Sequence, residues 1–256
     1  MIKVVNKRTD GHLFHYAHFL CDCLFPEVVN EIYKYSEVVR KKNINQTIGN
    51  FDKIYTEVMM IKNTELIERD FDNLNVEKLV YQNKSAYLDK QFFDKFRNFI
   101  FSRYKINPLE YNRQYPEIIL IKRSNRVELI SDEYLKNLNN NFKNGKERRE
   151  INNIERIEKY LESKYENNFK ALFFENLPFE EQVKHFNNAN LIICAHGAVM
   201  ANMFFCKPNT TIIEVTCNTN WDFFNKISKN LNLKHIKCNK NEFKNIIDCI
   251  ESHPIQ

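Results

Sequence analysis

The hydrophobic pattern of the chain is most regular between Asn190 and Val215, NLIICAHGAVMANMFFCKPNTTIIEV. Leu191 to Ala195 is an unbroken run of β-branched and small apolar residues. It is too short for a buried helix and predicts a central parallel strand covered on both faces. His196-Gly197-Ala198 interrupts the run, and the Ala-, Met- and Phe-rich stretch from Ala198 to Phe205 predicts the next helix. Pro208 and Asn209 stop that helix, and Thr211 to Val215 predicts a second strand. Strand, tight turn, helix, turn and strand make the crossover that parallel sheets require. At such a turn the first N–H groups of the helix point past the carboxyl end of the strand and favour an anion, most commonly a phosphate. Glycine there has an equal structural explanation in backbone freedom, so the pattern alone leaves a ligand site and a plain turn both open.

The same alternation runs through the rest of the C-terminal half. Glu117 to Ile121 predicts a buried strand leading into Lys122-Arg123-Ser124-Asn125-Arg126. Basic residues at a strand exit suit phosphate oxygens, which arginine can hold bidentately, or they are simply solvated. The stretch to Glu147 is polar and rich in Asn and Lys and reads as a surface insertion, after which Arg148 to Glu155 opens a helix running to about Lys164. Strand Lys170–Phe174, helix Phe179–Asn188, helix Trp221–Asn230, strand Lys234–Cys238 and helix Glu242–Ser252 complete the series. Repeats spaced this way predict an α/β fold built on a doubly wound parallel sheet.

The N-terminal half is less regular. Ile2 to Val5 predicts a short strand, and helical spacing from His12 continues to Pro26, which ends or kinks the segment before a second helix from Glu27 to Tyr35. On a helix His15, His18 and Asp22 share one face, either as substrate-facing groups or as exposed polar positions. Thr64 to Arg69 reads as a polar helix, Val76 to Tyr81 as a strand, and Asp89 to Tyr104, with Phe92, Phe93, Phe96, Phe99 and Ile100 at helical spacing, as an amphipathic helix whose Phe stripe is core. Asn107-Pro108 and Pro116 mark a break, giving an N-terminal domain at 1–112 and a C-terminal one at 113–256.

Composition narrows the function classes. Hydrophobic residues make up 43% and charged ones 28%, the balance of a folded soluble protein. The net charge of +5 is interspersed, which suits an anionic nucleotide-linked substrate rather than the concentrated basic patch of a nucleic-acid binder. No apolar run reaches the roughly 18 residues of a membrane span and the N-terminus has no signal-peptide core, so the expected location is cytoplasmic. The seven cysteines form no CxxC pair and read as buried hydrophobes in a reducing compartment, with no metal site. With four glycines and no GxGxxG, a dinucleotide- or SAM-dependent enzyme is disfavoured.

The Asn190–Val215 stretch resembles the C-terminal signature of glycosyltransferase family 61, the capsular-polysaccharide and xylosyltransferase-like enzymes: an apolar strand, a His-Gly-Ala turn, an Asn on the next helix, a Pro-containing turn and a strand ending in Ile-Glu. HYAHFLCDCLFP resembles the family's N-terminal block, with Ala17 where many members have Gly, and LPFEEQVKHFNNA is also similar. Lys122-Arg123 and Arg149 ahead of Ile151-Asn152-Asn153 resemble the family's Ser-Arg and its Arg before Ile-x-Asn-Glu, with Asn153 where Glu is usual. The resemblance implies a GT-B architecture of two Rossmann-like domains, here with a reduced N-terminal one. It implies an inverting, metal-independent transferase that needs no cofactor, moving a hexosyl or pentosyl group from a nucleotide-sugar donor, expected to be UDP-linked, to a hydroxyl of a glycan or glycoconjugate. A catalytically inactive sugar-nucleotide-binding module is the alternative.

Donor-binding residues are then Arg123, Arg126, Arg149, His196, Gly197, Ala198, Asn202 and Glu214. Asn202 is expected to brace the phosphate turn, and Glu214 either accepts hydrogen bonds from ribose hydroxyls or lies solvated at a strand end. Asp22, His18 and His15 are the catalytic candidates, with Asp22 or His18 as general base. Asp70-Phe71-Asp72 matches the manganese-binding triplet of a different class of glycosyltransferase. It reads as chance, because a polar helix rather than a buried strand is expected before it.

Overall fold

A computed structural model describes residues 2–5, 16–33, 51–60, 65–68, 89–124, 149–217 and 222–253. The chain divides into two compact units, the first drawing on described residues up to Ile106 and the second on those from Asn107 onward.

In the first unit, β1 (Ile2–Val5) pairs in parallel with β2 (Glu65–Glu68). The helix expected over 64–69 is therefore a strand. Local preference there is weak, and hydrogen bonding along β1 decides the outcome. The expected strand at 76–81 lies outside the described residues. Helix α1 (Tyr16–His18) runs through a π-helical turn, Phe19–Leu24, directly into α2 (Phe25–Tyr33). Pro26 thus sits in the first turn of α2 instead of closing the helix before it. Proline cannot donate the α-type bond to the carbonyl four residues back, at position 22, and the wider π ladder meets that restriction without a break in the chain. Helix α3 spans Phe51–Met59, and α4 spans Lys90–Arg103. Asp89 caps α4, its side chain accepting from the Gln91 N–H at 2.9 Å. Of the expected stripe on α4, Phe93, Phe96 and Ile100 are buried while Phe92 and Phe99 are only half-buried, and Phe101 joins the core instead, with Phe25 packed 5.0 Å from Phe96 and Phe19 stacked 4.8 Å from Phe51.

The second unit holds five parallel strands, β3 (Ile118–Lys122), β4 (Phe169–Phe173), β5 (Leu191–Ala195), β6 (Thr211–Val215) and β7 (Lys234–Cys238), in the order β4-β3-β5-β6-β7. Every position of β5 and β6 is buried; β5 accordingly reads as an unbroken apolar run, whereas β6 carries Thr211 and Glu214 among its apolar positions. Helices α5 (Ile154–Tyr165), α6 (Phe179–Asn188), α7 (Phe223–Lys229) and α8 (Phe243–Glu251) accompany the strands. One core joins Ile154, Ile157 and Leu161 of α5 with Leu120, Ile193, Ile213 and Ile246. Helix α5 begins at Ile154, not near Arg148, because Asn153 adopts a left-handed backbone with φ of 56°. Arg149 and the residues after it therefore stay outside the helix.

The segment from Ala198 to Phe205 is helical, but it is a 3₁₀ helix of eight residues rather than an α-helix. At about 2.0 Å rise per residue it extends roughly 16 Å, against about 12 Å for an α-helix. That matches the roughly 16.5 Å of a five-residue strand, the distance the chain retraces between the end of β5 and the start of β6. No helix among the described residues is long and apolar enough to cross a membrane.

Candidate functional site

The strand order places β3, the unit's first strand, between β4 and β5. From β3 the chain winds outward in one direction to β4 and in the other through β5 to β7. Open α/β sheets take ligands at such a switch point, beyond the carboxyl ends of the strands. Here Arg123 leaves β3, and His196 and Gly197 leave β5.

These residues meet. The Arg123 guanidinium lies against Gly197, so a Cβ built there would stand 2.1 Å from Nη2 and 3.0 Å from Cζ. Gly197 itself is extended, with φ of 170°, which any residue adopts. Glycine is needed for proximity, not for backbone freedom as the turn pattern suggests. Arg123 Nη1 donates to the Arg149 carbonyl at 3.4 Å, and Arg149 Nη1 donates to the His196 carbonyl at 3.3 Å. Arg149 can reach because the left-handed Asn153 holds the start of α5 back. The first N–H groups of the 3₁₀ helix, beginning with the half-exposed Ala198, leave from the same turn, while the Gly197 carbonyl accepts from Met200 N at 3.0 Å.

Beside Arg123 lies a cavity of about 120 Å³, lined among others by Ile121, Glu150, Glu155, Phe173 and Ala195. Ligand clefts usually measure about 300–1,000 Å³, so this one suits a fragment the size of a phosphate and a few waters, and a larger ligand would extend beyond it.

Beneath the turn a carboxylate joins two imidazoles. Glu214 on β6 accepts from His196 Nδ1 with one oxygen, and from His235 Nε2 of β7 at 2.7 Å with the other. The side chains of His196, Glu214 and His235 are 3%, 1% and 2% exposed. Burial alone would raise the Glu214 pKa, but the hydrogen bonds from both imidazoles and their charge outweigh it and hold the carboxyl down at about 2. Phe224 packs edge-on to His196 with ring centroids 5.4 Å apart.

Several expectations change at this point. Glu214 is not solvated at a strand tip, and both its oxygens are committed to imidazoles, which leaves the ribose role without its acceptor. Asn202 is fully buried in the 3₁₀ helix, and its Nδ2 donates to Gln182 Oε1 of α6 at 3.0 Å, tying that helix to α6. Gln182 in turn donates to the Leu177 carbonyl at 3.0 Å. Arg126 and His15 lie outside the described residues. The backbones of His18 and Asp22 fall in α1 and in the π turn, so the regular α-helical spacing that put them on one face does not continue through this segment. Asp70 and Asp72 also lie outside the described residues. A strand, β2, ends at Glu68 just ahead of them, which removes the reason for discounting that triplet. Among the described residues, no group of three His, Cys, Asp or Glu is arranged to hold a metal ion. Sequence reading missed His235. Its one signal was the alternation KHIKC in β7, which puts His235 and Lys237 on one face.

The fold defines a class, the open α/β domain with a parallel five-stranded sheet and a switch point at β3. The particular family follows from comparison: a model of the glycosyltransferase 61 family matches residues 16–213, more than half of the chain, and the chain belongs to that family. It is therefore a glycosyltransferase, with a sugar donor and an acceptor. No curated protein matches the chain. The matched region contains Arg123, Arg149 and the His196 turn and stops one residue before Glu214.

Glu214 makes stability depend on acidity. Its folded pKa of about 2 lies below the ordinary 4.5, so its contribution is complete above about pH 4.5 and is lost as pH falls towards 2. Urea unfolding of wild type and Glu214→Gln should show a stability gap at pH 5 that narrows steadily towards pH 3. A gap of constant size over that range would mean that the carboxylate is not held ionised by its neighbours.

Proposed function

We propose that this glycosyltransferase is an inverting, metal-independent enzyme. In this reading Arg123, Arg149 and the His196-Gly197-Ala198 turn bind the diphosphate of a nucleotide-sugar donor. The observation that carries it is the convergence of two guanidinium groups on one strand-end turn at the switch point, through Arg123 against Gly197 and Arg149 on the His196 carbonyl. The adjoining cavity, of about 120 Å³, has room for one phosphate group.

The chemistry asks for little else. An acceptor hydroxyl on a glycan or glycoconjugate attacks the anomeric carbon from the face opposite the leaving group. The bond from that carbon to the diphosphate oxygen breaks, the configuration inverts, and the hydroxyl proton passes to a carboxylate or imidazole. Charge accumulates on the departing nucleoside diphosphate, and preorganised donors in a fixed site stabilise it. Two guanidiniums and the N–H groups of Gly197 and Ala198 supply that field without a divalent ion, with His196 holding the turn in place from beneath. Asp22 is our candidate base, with His18 and His15 as the other candidates. The π turn that carries Asp22 supports the assignment, since such turns recur at functional sites.

A thermal-shift panel of UDP-, GDP- and CMP-sugars identifies the donor, because a ligand at a hundred times its Kd adds about 2.7 kcal/mol; we expect the UDP-sugars to respond. With that donor, Arg149→Ala should lower turnover roughly a hundredfold in folded protein, as removing one charge-stabilising donor does. Wild-type turnover in that variant would rule out the phosphate role. Asp22→Asn should abolish transfer while nucleotide affinity stays unchanged, and an active Asp22→Asn enzyme would leave the base elsewhere. Excess EDTA should leave the rate untouched; loss of activity restored by manganese would return the Asp70-Phe71-Asp72 triplet to the reaction.

A further inference from the structure

Three adjacent strands contribute to one buried polar rung, His196 after β5, Glu214 on β6 and His235 on β7. Register explains how the third member joins. The residue directly opposite Glu214 on β7 is Lys237, which reaches away to Asp222 at 3.3 Å. His235 stands two residues earlier, on the same face of β7, and takes the diagonal position from which a long side chain meets its neighbour across the strands. Its other ring nitrogen, Nδ1, is buried and has no hydrogen-bond partner among the described residues.

That orphaned atom argues about purpose. A rung kept for stability alone would be better served by apolar packing or by an amide with both ends satisfied, since an unpaired buried polar atom is a standing cost. What the imidazole does provide is a donor for the second oxygen of Glu214. Without it the carboxylate is free to rotate about its terminal torsion and to share its charge differently with His196. The carbonyl of His196 accepts from Arg149, and the next residue, Gly197, bears the Arg123 guanidinium, so any rocking of His196 passes straight into the turn.

We infer that His235 is a positioning residue for sugar transfer: it locks Glu214, Glu214 locks His196, and the locked turn holds Arg123 and Arg149 in register for the diphosphate. The inference rests on the reading of that turn as the diphosphate site. It adds a residue that lies beyond the region matched by the family.

The test compares full-length wild type, Arg149→Ala, His235→Leu and His235→Gln, using inorganic pyrophosphate and UDP as calorimetric probes and urea unfolding to verify the fold. Glutamine keeps an amide N–H that can reach Glu214, and leucine fills the space without donating. We expect His235→Leu to weaken both probes by about tenfold, the usual scale for a residue that orients a ligand-binding group, and His235→Gln to bind within about threefold of wild type. Proton NMR adds a signature that stability alone would not move: the low-field imidazole N–H resonance of His196 should shift or broaden in the Leu variant and return in the Gln variant. If the Leu variant does not fold, His235→Asn, whose shorter amide cannot span to Glu214, takes its place. Weak binding by Arg149→Ala beside wild-type binding and an unmoved His196 resonance in His235→Leu overturns the positioning role and leaves the diphosphate site standing. Wild-type binding of both probes by Arg149→Ala overturns the site itself, and this inference with it.

Discussion

Arg123 can lie across the backbone at Gly197 only because that residue has no side chain, and the rest of the site is arranged around this approach. A methyl group there would stand 2.1 Å from a guanidinium nitrogen, so the two cannot share the space. Sheet order brings the ends of β3 and β5 side by side, which sets Arg123 within reach of the turn. A left-handed Asn153 then ends the preceding loop abruptly, so that Arg149 reaches the carbonyl of His196 from the other side. Three segments far apart in the chain are joined by side-chain donors on main-chain oxygens.

Electrostatics work at two depths. At the surface of the turn, cationic groups gather where strand ends and helix N–H groups already favour an anion. One layer down, the ionised carboxylate of Glu214 sits between two imidazoles, with almost no contact with solvent. A buried charge is tolerated only when hydrogen bonds satisfy it, and both oxygens are so satisfied. The lower layer is not free to face a ligand. Its effect is to fix the orientation of the residue that joins the layers, His196.

The second unit was legible along its strands. β5, β6, β7 and α6 fall at the bounds expected of them, and for β5 the reason is plain, because a strand buried on both faces announces itself locally. The first unit was less so. β2 is polar in composition and becomes a strand through a partner some sixty residues earlier, a fact no short window contains. The start of α5 was misjudged because Arg and Glu are good helix formers wherever they stand, whereas the deciding event is a single dihedral at Asn153. Arg123, Arg149 and the His196 turn were singled out through family resemblance, and the structure brings them together; Glu214 was expected at a ribose or in solvent and is instead buried between His196 and His235. Its true partners come from neighbouring strands, and a diagonal pairing such as Glu214 with His235 depends on register that only the assembled sheet defines.

The hydrogen bond from Arg123 to the Arg149 carbonyl also clamps the two ends of a long excursion of the chain. Once those ends are pinned, the entropy of closing the excursion grows only with the logarithm of its length, about 0.6 kcal/mol for each doubling. A change in the length of chain between the two arginines therefore costs little in closure entropy alone.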